Sequence, residues 1–312
     1  MSNFIITARS IKGQGNHKSF GDEPGKISYL ITNDNATDFT PEDKIKNPTA
    51  WIVALTKNRD LKDVLIYLHG YNMEREITLE RHKILKAHLK QQGWEGELIT
   101  FAWPSKKNTL LYWEDRLDGL KVATCLVTDC IALLNRQMKK GCKLNVHLIA
   151  HSTGALLVRE GFKLANMGIT ESVWSVGQVM FVAGDVSSDS MMGDDSKELY
   201  EHSGRITNYF SNYDSALMVS SAKRLGAANR VGRVGLPLAS SDKAVDVNCS
   251  LHYQKNLPAL TQDVKNAELS HSWYFWSKTF IKDIIHTMNG FYDRNVIPTR
   301  EKDNEGEFWL KT

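Results

Sequence analysis

Leu144-Asn-Val-His-Leu-Ile-Ala-His-Ser-Thr-Gly-Ala-Leu-Leu-Val158 is the stretch of this 312-residue sequence that decides its fold. The apolar first half is typical of a strand buried on both faces, and the second half is typical of the first turns of a helix. Ser152 stands at the turn between them, in the pattern Ala150-His-Ser-Thr-Gly154. This pattern is the small-x-Ser-x-Gly form of the nucleophile elbow, with alanine in place of the first glycine.

The small residues around Ser152 have a physical reason. A nucleophilic serine must be raised out of the sheet by a strained turn, and neighbouring backbone then crosses the residues two before and two after it. The helix that begins behind Ser152 also directs its amide-rich amino terminus at any negative charge that develops there. The same residues would also suit a simple helix cap after a core strand, so the motif alone leaves both interpretations open.

The composition is that of a soluble globular chain. Hydrophobic residues make up 42% of the sequence and charged residues 24%, and both values are ordinary. The net charge of +3 is too small to predict a nucleic-acid surface, and the basic residues are scattered along the chain. We therefore expect no nucleic-acid partner.

Targeting and redox signals favour a cytoplasmic protein. Residues 1–10 lack the basic start and the long apolar run of a signal peptide, and no apolar run approaches the ~18 residues of a membrane-spanning helix. This absence of a long apolar run predicts no stable membrane insertion. The cysteines lack C-x-x-C spacing and the histidines lack H-E-x-x-H spacing, so we expect free thiols and no metal. The cysteines are Cys125, Cys130, Cys142 and Cys249.

Strands and helices alternate along the chain. Apolar alternation and short apolar runs predict strands at residues 3–11, 27–32, 51–56, 63–69, 97–103, 144–151, 178–185, 205–214 and 244–249. Apolar residues three and four apart predict helices at residues 74–92, 109–140 with a bend at Gly119, 153–168, 196–202, 215–225 and 273–288. We expect a glycine-rich loop at residues 12–25, irregular structure at 258–270 and a loosely held tail from residue 293.

This alternation predicts a single α/β domain over residues 1–312. The crossovers are long enough for parallel connections, which favours a mostly parallel, doubly wound sheet of about eight strands with helices on both faces. The core would span about residues 50–290, with the strands of residues 3–32 added to it. The loops at residues 187–204 and 226–243 are expected to cover the site, and Met191 in the first suits either an acyl pocket or ordinary packing.

The order of polar residues along the strands indicates a catalytic triad. Asp185 and Asp214 end the strands that follow Ser152, and His271 comes later, which is the serine–acid–histidine order of the α/β-hydrolase fold. A serine hydroxyl needs an imidazole to take its proton, and the imidazole needs a carboxylate to fix its tautomer. We predict Ser152 as nucleophile, His271 as base and Asp214 as acid, because the acid usually follows the penultimate strand.

Two of these assignments have rivals. Asp185 is the alternative acid, and it would otherwise hold a loop or line the site. His252 and His286 are the alternative bases. His286 falls among core positions of the last predicted helix, which suits packing, whereas His252 closely follows the last strand.

An oxyanion formed at the serine would need backbone donors prepared in advance. We expect one from the amide of Thr153, next after the nucleophile, and the other from the amide of Tyr71, in the loop after a core strand. His69 is expected to orient that loop by hydrogen bonding, with Gly70 beside it. The side chains of Trp103, Tyr112 and Asp115 are expected to brace the site, and that of His151 is expected to pack against it or line it.

A set of motifs is more specific than the elbow alone. They are Leu68-His-Gly-Tyr-Asn72, Phe101-Ala-Trp-Pro-Ser105, Tyr112 followed by Asp115, Ala150-His-Ser-Thr-Gly154, Asp214-Ser-Ala-Leu217 and Ser270-His271. Over about residues 50–290 the chain thereby resembles the bacterial α/β-hydrolases of the DUF900 family. The resemblance implies an α/β-hydrolase fold and an esterase or lipase-like activity. Departures from the family pattern at Thr153 and Gly184 leave the oxyanion amide and the following acid in place.

We therefore expect a cofactor-independent serine hydrolase that cleaves small-molecule or lipid carboxylic esters through an acyl-enzyme on Ser152. A lipase or phospholipase acting at a membrane surface is the first alternative. A hydrolase-like binding or sensor protein without turnover is the second. The sequence carries no signal for the acyl or alcohol group or for the oligomeric state.

Overall fold

A computed structural model describes residues 2–57, 61–105, 112–138, 144–166, 174–222, 229–238, 240–264, 267–290 and 296–312. These residues form a ten-stranded sheet with helices packed on both faces. The predicted doubly wound α/β fold is confirmed, with ten strands in place of about eight.

The sheet is parallel through its centre and antiparallel at its two edges. Its strands are β1 (Ser2–Lys12), β2 (Ser19–Asn33), β3 (Asp63–Leu68), β4 (Glu97–Ala102), β5 (Asn145–His151), β6 (Val176–Val182), β7 (Ser203–Phe210), β8 (Ala244–Asn248), β9 (Arg300–Lys302) and β10 (Phe308–Leu310). They lie in the order β2-β1-β4-β3-β5-β6-β7-β8-β10-β9, and only the β1–β2 and β9–β10 pairs of these described strands are antiparallel. The carboxyl ends of the parallel strands therefore meet at one edge, with β5 near the middle.

Helices cover both faces of this sheet. They are α1 (Pro48–Leu55), α2 (Arg75–Gln91), α3 (Tyr112–Cys125), α4 (Ala132–Met138), α5 (Thr153–Asn166), α6 (Lys197–Glu201), α7 (Ser215–Ala222), α8 (Val231–Val234), α9 (Ser250–Asp263), α10 (Leu269–Ser272) and α11 (Lys278–Asn289). A π-helical segment, Leu126–Ile131, joins α3 to α4, and a 3-10 turn, Trp273–Trp276, follows α10.

The two larger of three hydrophobic cores among the described residues lie on opposite faces of the sheet, which explains the unbroken apolar runs in the strands. In β3, Ile66 and Leu68 face the first core, whereas Leu65 and Tyr67 face the second. Residues of α1, α3, α4 and α5 complete the first core, and residues of α2, α9 and α11 complete the second. Each fully buried aliphatic side chain contributes about 1.5–3 kcal/mol, so the strands that carry the site are held firmly from both sides.

The prediction of a strand at residues 51–56 was wrong. Residues Pro48–Leu55 form helix α1, because Asn47 caps it by accepting a hydrogen bond from the amide of Ala50 at 2.9 Å. A proline in the first turn is compatible with this start because its missing N–H has no partner to lose there. The apolar residues Trp51 and Leu55 then lie four residues apart on one buried face.

Three other segments are more regular than expected. Residues 12–25 were predicted to be a loop, but β2 begins at Ser19 and pairs with β1 along the hairpin. Residues 258–263 continue helix α9, and Pro258 is tolerated there because it lies on the exposed face, where water can reach the backbone. The tail is not loose, since β9 and β10 extend the sheet and Arg300 is buried against Asp283 at 2.6 Å.

The long helix predicted at residues 109–140 is confirmed over the described part, Tyr112–Met138, although its irregularity is the π-helical segment and not a bend at Gly119. At Gly119 a Cβ would lie 2.9 Å from the Leu157 side chain and 3.2 Å from that of Trp103. This glycine therefore allows close packing of α3 against α5. The helix predicted at residues 273–288 is divided in two. Ser277 Oγ accepts from the amide of Phe280 and so caps the start of a new helix, α11. The ends predicted near residues 168 and 225 lie outside the described residues.

Candidate active site

The elbow serine has the backbone conformation that the motif requires. Ser152 has a φ of +55°, in the left-handed region that non-glycine residues seldom adopt. Its amide donates to the carbonyl of Val182 at 3.0 Å, and its carbonyl accepts from the amides of Ala155 and Asp185 at 3.1 and 2.9 Å. These bonds to β6, to α5 and to the segment after β6 hold the strained turn in place.

Strained residues concentrate around this serine. In the described part of the chain, positive φ angles outside glycine occur at Asn72, Ser152 and Ala183. Asn72 lies in the loop after β3, and Ala183 directly follows β6, so both lie at the carboxyl edge of the sheet. Conformations of this kind cost about 1–3 kcal/mol each and cluster at functional sites.

Two glycines give the serine its close neighbours. A Cβ at Gly154 would lie 2.8 Å from the carbonyl oxygens of Leu68 and His69, so only glycine fits where α5 crosses the end of β3. A Cβ at Gly70 would lie 3.0 Å from Ser152 Cβ and 3.4 Å from its Oγ. The bare backbone of Gly70 therefore packs directly against the serine side chain.

The structure brings His271 and Asp214 together. His271 Nδ1 lies 2.7 Å from Asp214 Oδ2, and the other carboxylate oxygen accepts from the amide of Leu217 at 2.9 Å. Because the carboxylate accepts from Nδ1–H, Nε2 keeps a lone pair that can take a proton. Burial lowers the pKa of His271, but the charge and hydrogen bond of Asp214 outweigh it and raise that pKa above 6.5.

The rival residues are bound elsewhere. The carboxylate of Asp185 lies 3.2 Å from Arg230 Nε in a buried ion pair. The ring nitrogens of His252 lie 2.8 Å from Ser277 Oγ and 2.5 Å from the carbonyl oxygen of Lys311. His286 lies within α11, where the packing interpretation placed it. Of the two predicted acids, Asp214 is the one within hydrogen-bonding distance of His271.

His151 precedes the serine in the chain, and its ring contacts His271. Its Nε2 donates to the backbone carbonyl of His271 at 3.0 Å, and the two ring centroids are 4.6 Å apart. Burial, and then the neighbouring His271, hold the pKa of His151 well below 6.5. Within the described contacts, no hydrogen bond joins Ser152 Oγ to His271, and in free enzymes such bonds are often long until substrate binds.

The sequence did not predict the role of Glu268 beside this pair. Its carboxylate caps α10 and accepts from the amide of His271 at 2.7 Å. It also accepts from Ser270 Oγ at 2.8 Å and from Ser215 Oγ at 3.0 Å. Ser215 follows Asp214, so Glu268 ties the segment of the acid to the segment of the histidine. The only signal in the sequence was an acid three residues before the histidine, in the position of a helix cap.

The predicted oxyanion donors lie in the turn after the serine and in the loop after β3. Thr153 is the first residue of α5, and the first amides of a helix have no partner within it. The loop of residues 69–73, here called the oxyanion loop, follows β3 and contains Tyr71. His69 Nδ1 donates to the carbonyl of Gly70 at 2.7 Å, and burial lowers the pKa of His69 to about 3, so this ring is neutral.

Trp103 supports the oxyanion loop. Its Nε1 donates to the carbonyl of His69 at 2.8 Å, and the two rings stack with centroids 5.1 Å apart.

The expected bracing role of Tyr112 and Asp115 rests on side chains outside the described ones. Met191, in the loop predicted to cover the site, is fully buried in the first core, which favours ordinary packing.

The described residues contain no cluster of three or more His, Cys, Asp or Glu side chains that could hold a metal ion. Of the cysteines, Cys125, Cys130 and Cys249 are free thiols, and Cys142 lies outside the described residues. In the described part of the chain we also find no helix with the length and apolarity that crossing a bilayer requires.

A strained serine turn at the carboxyl edge of a doubly wound sheet, with an acid and a histidine following it in chain order, defines the α/β-hydrolase class. The chain belongs to the DUF900 family, described as alpha/beta hydrolases of unknown function, whose sequence model matches residues 44–284.

Several solved structures are similar to this chain at low identity. A presumed hydrolase from Agrobacterium vitis S4 is 11% identical over 80% of this chain and 89% of that one, with a TM-score of 0.34. Phospholipase PlaB from Legionella pneumophila, solved with thio-NAD, is 16% identical over 60% of this chain and 37% of that one, with a TM-score of 0.26. A lipase-esterase related protein from Clostridium acetobutylicum is 14% identical over 65% and 83%, with a TM-score of 0.25. No curated protein matches the sequence.

Proposed function

We propose that the protein is a cofactor-independent serine hydrolase that cleaves carboxylic esters through an acyl-enzyme on Ser152. The observation that carries the proposal is the 2.7 Å contact between His271 Nδ1 and the buried carboxylate of Asp214, in a chain whose Ser152 has the left-handed elbow conformation. An imidazole with this tautomer is prepared to accept a proton at Nε2, as general base catalysis of acyl transfer requires.

The chemistry would proceed in two halves. Ser152 Oγ attacks the ester carbonyl while its proton passes to His271 Nε2, and the amides of Tyr71 and Thr153 stabilise the oxyanion. The C–O bond to the alcohol then breaks, and the imidazolium returns the proton to the departing oxygen. A water molecule repeats these steps against the acyl-enzyme, releasing the carboxylic acid and restoring the serine. An alkoxide leaves with less protonation than an amine, so an ester suits this machinery best.

The direct test is covalent labelling with a fluorophosphonate, followed by peptide mapping. We expect the label on Ser152 in the folded protein and none in Ser152→Ala. A panel of p-nitrophenyl esters of rising acyl length, with Ser152→Ala as the blank, would then define the acyl preference. An unlabelled serine, under conditions in which a control hydrolase reacts, would leave the binding or sensor alternative in its place.

A matched pair of histidine variants tests the base. We expect His271→Gln to lose at least a thousandfold in turnover, since the serine proton then has no acceptor. His252→Gln should keep most turnover, because His252 contacts Ser277 and the chain end near Lys311. Equal losses in both variants would argue against His271 as the base.

A lipid ester is the second candidate substrate. Met218, Val219 and Val234 expose between 41% and 50% of their surface, on helices α7 and α8 that pack together beside Asp214. Exposed apolar surface of this kind is one of the features that mark membrane or ligand interaction sites. Activity that rises sharply above the micelle threshold of a medium-chain ester would support this candidate. A smooth hyperbola through that threshold would favour a dissolved substrate.

A further inference from the structure

We propose that Arg9, in the amino-terminal hairpin, is a positioning residue that holds the oxyanion loop in its working shape. The inference rests on the serine hydrolase function proposed above. Arg9 lies outside residues 44–284, which match the family. The hairpin would thus supply a part of the site that lies outside the matched segment.

The strand pairing brings Arg9 to the edge of the sheet where the site lies. β1 runs parallel to β4 as far as the pair Thr7–Ala102, so residues after Thr7 reach beyond the end of β4. The β1–β2 register shifts on both sides of Arg9. Irregularities of this kind bend a strand and redirect its side chains. A Cβ at Gly25 would lie 2.4 Å from the Cα of Ser10, so the hairpin can close around this irregularity only with glycine there.

The guanidinium of Arg9 binds the oxyanion loop directly. Its Nη2 donates to the carbonyl of Met73 at 2.7 Å, and its Nη1 donates to the carbonyl of Ser105 at 3.3 Å. Ser105 Oγ in turn accepts from the amide of Met73 at 3.2 Å. Both backbone groups of Met73 are therefore held, two residues beyond the amide of Tyr71. Asp22 Oδ1, 2.7 Å from Nη1, balances the charge of the fully buried arginine.

The loop needs such support because its own conformation is strained. Asn72 has a φ of +57°, between Tyr71 and Met73. Gly70 at the other end lies against the side chain of Ser152. An oxyanion donor must keep its position within about 0.5 Å to be effective. The hydrogen bonds to Met73 hold the loop after Asn72, and those of His69 and Trp103 hold it before Asn72.

The charge of Arg9 acts on the near side as well. After burial, the positive charge of Arg9 is the next cause that lowers the pKa of His69. A neutral His69 keeps a single N–H, which it donates to Gly70 at 2.7 Å. Lysine at position 9 would keep the charge but could not present the planar fork that reaches Met73 and Ser105 together.

The test uses Arg9→Lys, Arg9→Gln and the matched control Arg300→Lys. Arg300 is also a buried arginine in an ion pair, but it lines a small cavity with Gln178 and Arg205, near the amino ends of β6 and β7. For each variant we would measure the thermal midpoint, kcat and KM on a p-nitrophenyl ester, and the inhibition constant of an alkylboronic acid. The boronic acid forms a tetrahedral adduct with a reactive serine and so reports the oxyanion site.

We expect both Arg9 variants to lose about tenfold to a hundredfold in kcat/KM, up to the loss that follows removal of one oxyanion donor. The loss should lie in kcat, with KM changed less than threefold. The inhibition constant of the boronic acid should rise by about the same factor as kcat falls. Arg300→Lys should lose thermal stability while it keeps the wild-type kcat and boronic acid affinity. This pattern would separate a positioning role from a purely structural one.

Several results would overturn the inference. Three results would argue against a positioning role in an active wild-type protein. They are an unchanged kcat in Arg9→Lys, an effect of that variant on KM alone, and an equal loss of kcat in Arg300→Lys. An inert and unlabelled wild-type protein would instead remove the proposed function and this inference with it. If neither Arg9 variant folds, Ser105→Ala provides the test, because it removes the acceptor of the Met73 amide. This variant should lower kcat at least fivefold at constant KM. An unchanged kcat would refute the inference.

Discussion

Replacement of Asp214 by asparagine gives the sharpest test of the proposed machinery. The carboxylate has two tasks, since one oxygen accepts from the amide of Leu217 at 2.9 Å and the other accepts from His271 Nδ1 at 2.7 Å. Asparagine has only one acceptor oxygen. If that oxygen keeps the bond to Leu217, the amide nitrogen must face His271 Nδ1 and donate to it.

That arrangement reverses the tautomer of the histidine. With Nδ1 accepting, the ring proton moves to Nε2, which can then no longer accept the proton of Ser152. The opposite orientation of the asparagine would set two donors against each other at Leu217 and leave that buried amide unpaired, which costs about 1–3 kcal/mol. We therefore expect kcat of Asp214→Asn to fall about 10⁴-fold, equivalent to about 5 kcal/mol of transition-state stabilisation.

Asp185→Asn is the matched control. It is an equally conservative change at a buried acid on the same edge, and it removes the carboxylate charge that pairs with Arg230. We expect a loss of stability of about 3 kcal/mol, seen as a lower denaturation midpoint, with more than a tenth of the turnover retained. Turnover would be measured on a p-nitrophenyl ester, with Ser152→Ala as the blank. A thousandfold loss in Asp185→Asn beside mild loss in Asp214→Asn would refute the assignment.

Three further outcomes follow from the same geometry. Because the base must be neutral and Asp214 raises the pKa of His271 above 6.5, kcat/KM should fall as the pH drops, with a midpoint above 6.5 that moves down in Asp214→Asn. Gly70→Ala would place a methyl group 3.0 Å from Ser152 Cβ, so fluorophosphonate labelling should slow at least tenfold in a protein with wild-type circular dichroism. Asp283→Asn breaks the buried pair with Arg300 at 2.6 Å, and we expect about 3–5 kcal/mol less stability in urea with unchanged kcat.

The fold was predictable where local pattern and burial agree. Apolar runs such as residues 63–68 and 145–151 are buried on both faces, so their sequence alone identifies them as central strands. The prediction at residues 51–56 was wrong because their apolar content fits a strand. The signal that starts a helix there, Asn47-Pro48, lies just before them. The tail misled for the opposite reason. Its charged composition suggests solvent exposure, yet Arg300 is buried by Asp283, which lies far back in the chain.

The site was predictable in its parts and less so in its contacts. The serine turn is a local motif, so its conformation follows from residues 150–154. The pairing of His271 with an acid joins residues 57 positions apart, and chain order narrowed the choice without deciding it. Neither Glu268 nor Arg9 stood out, because a cap and a strand arginine are ordinary residues until the fold shows what they touch.

The two acids at the edge of the sheet show how a partner decides the role of a carboxylate. Asp214 binds an imidazole, whose proton can move at neutral pH, whereas Asp185 binds an arginine, whose proton cannot. A triad carboxylate stays ionised and acts by accepting the Nδ1–H of the histidine, whereas the carboxylate of Asp185 binds Arg230. It can instead anchor backbone, and the amide of Asp185 indeed binds the carbonyl of Ser152 at 2.9 Å while the segment of Arg230 pairs with residues 184–188. Asp185 thus stabilises the turn that carries Ser152. Asp214, which contacts the ring of His271, is the acid suited to orient the base.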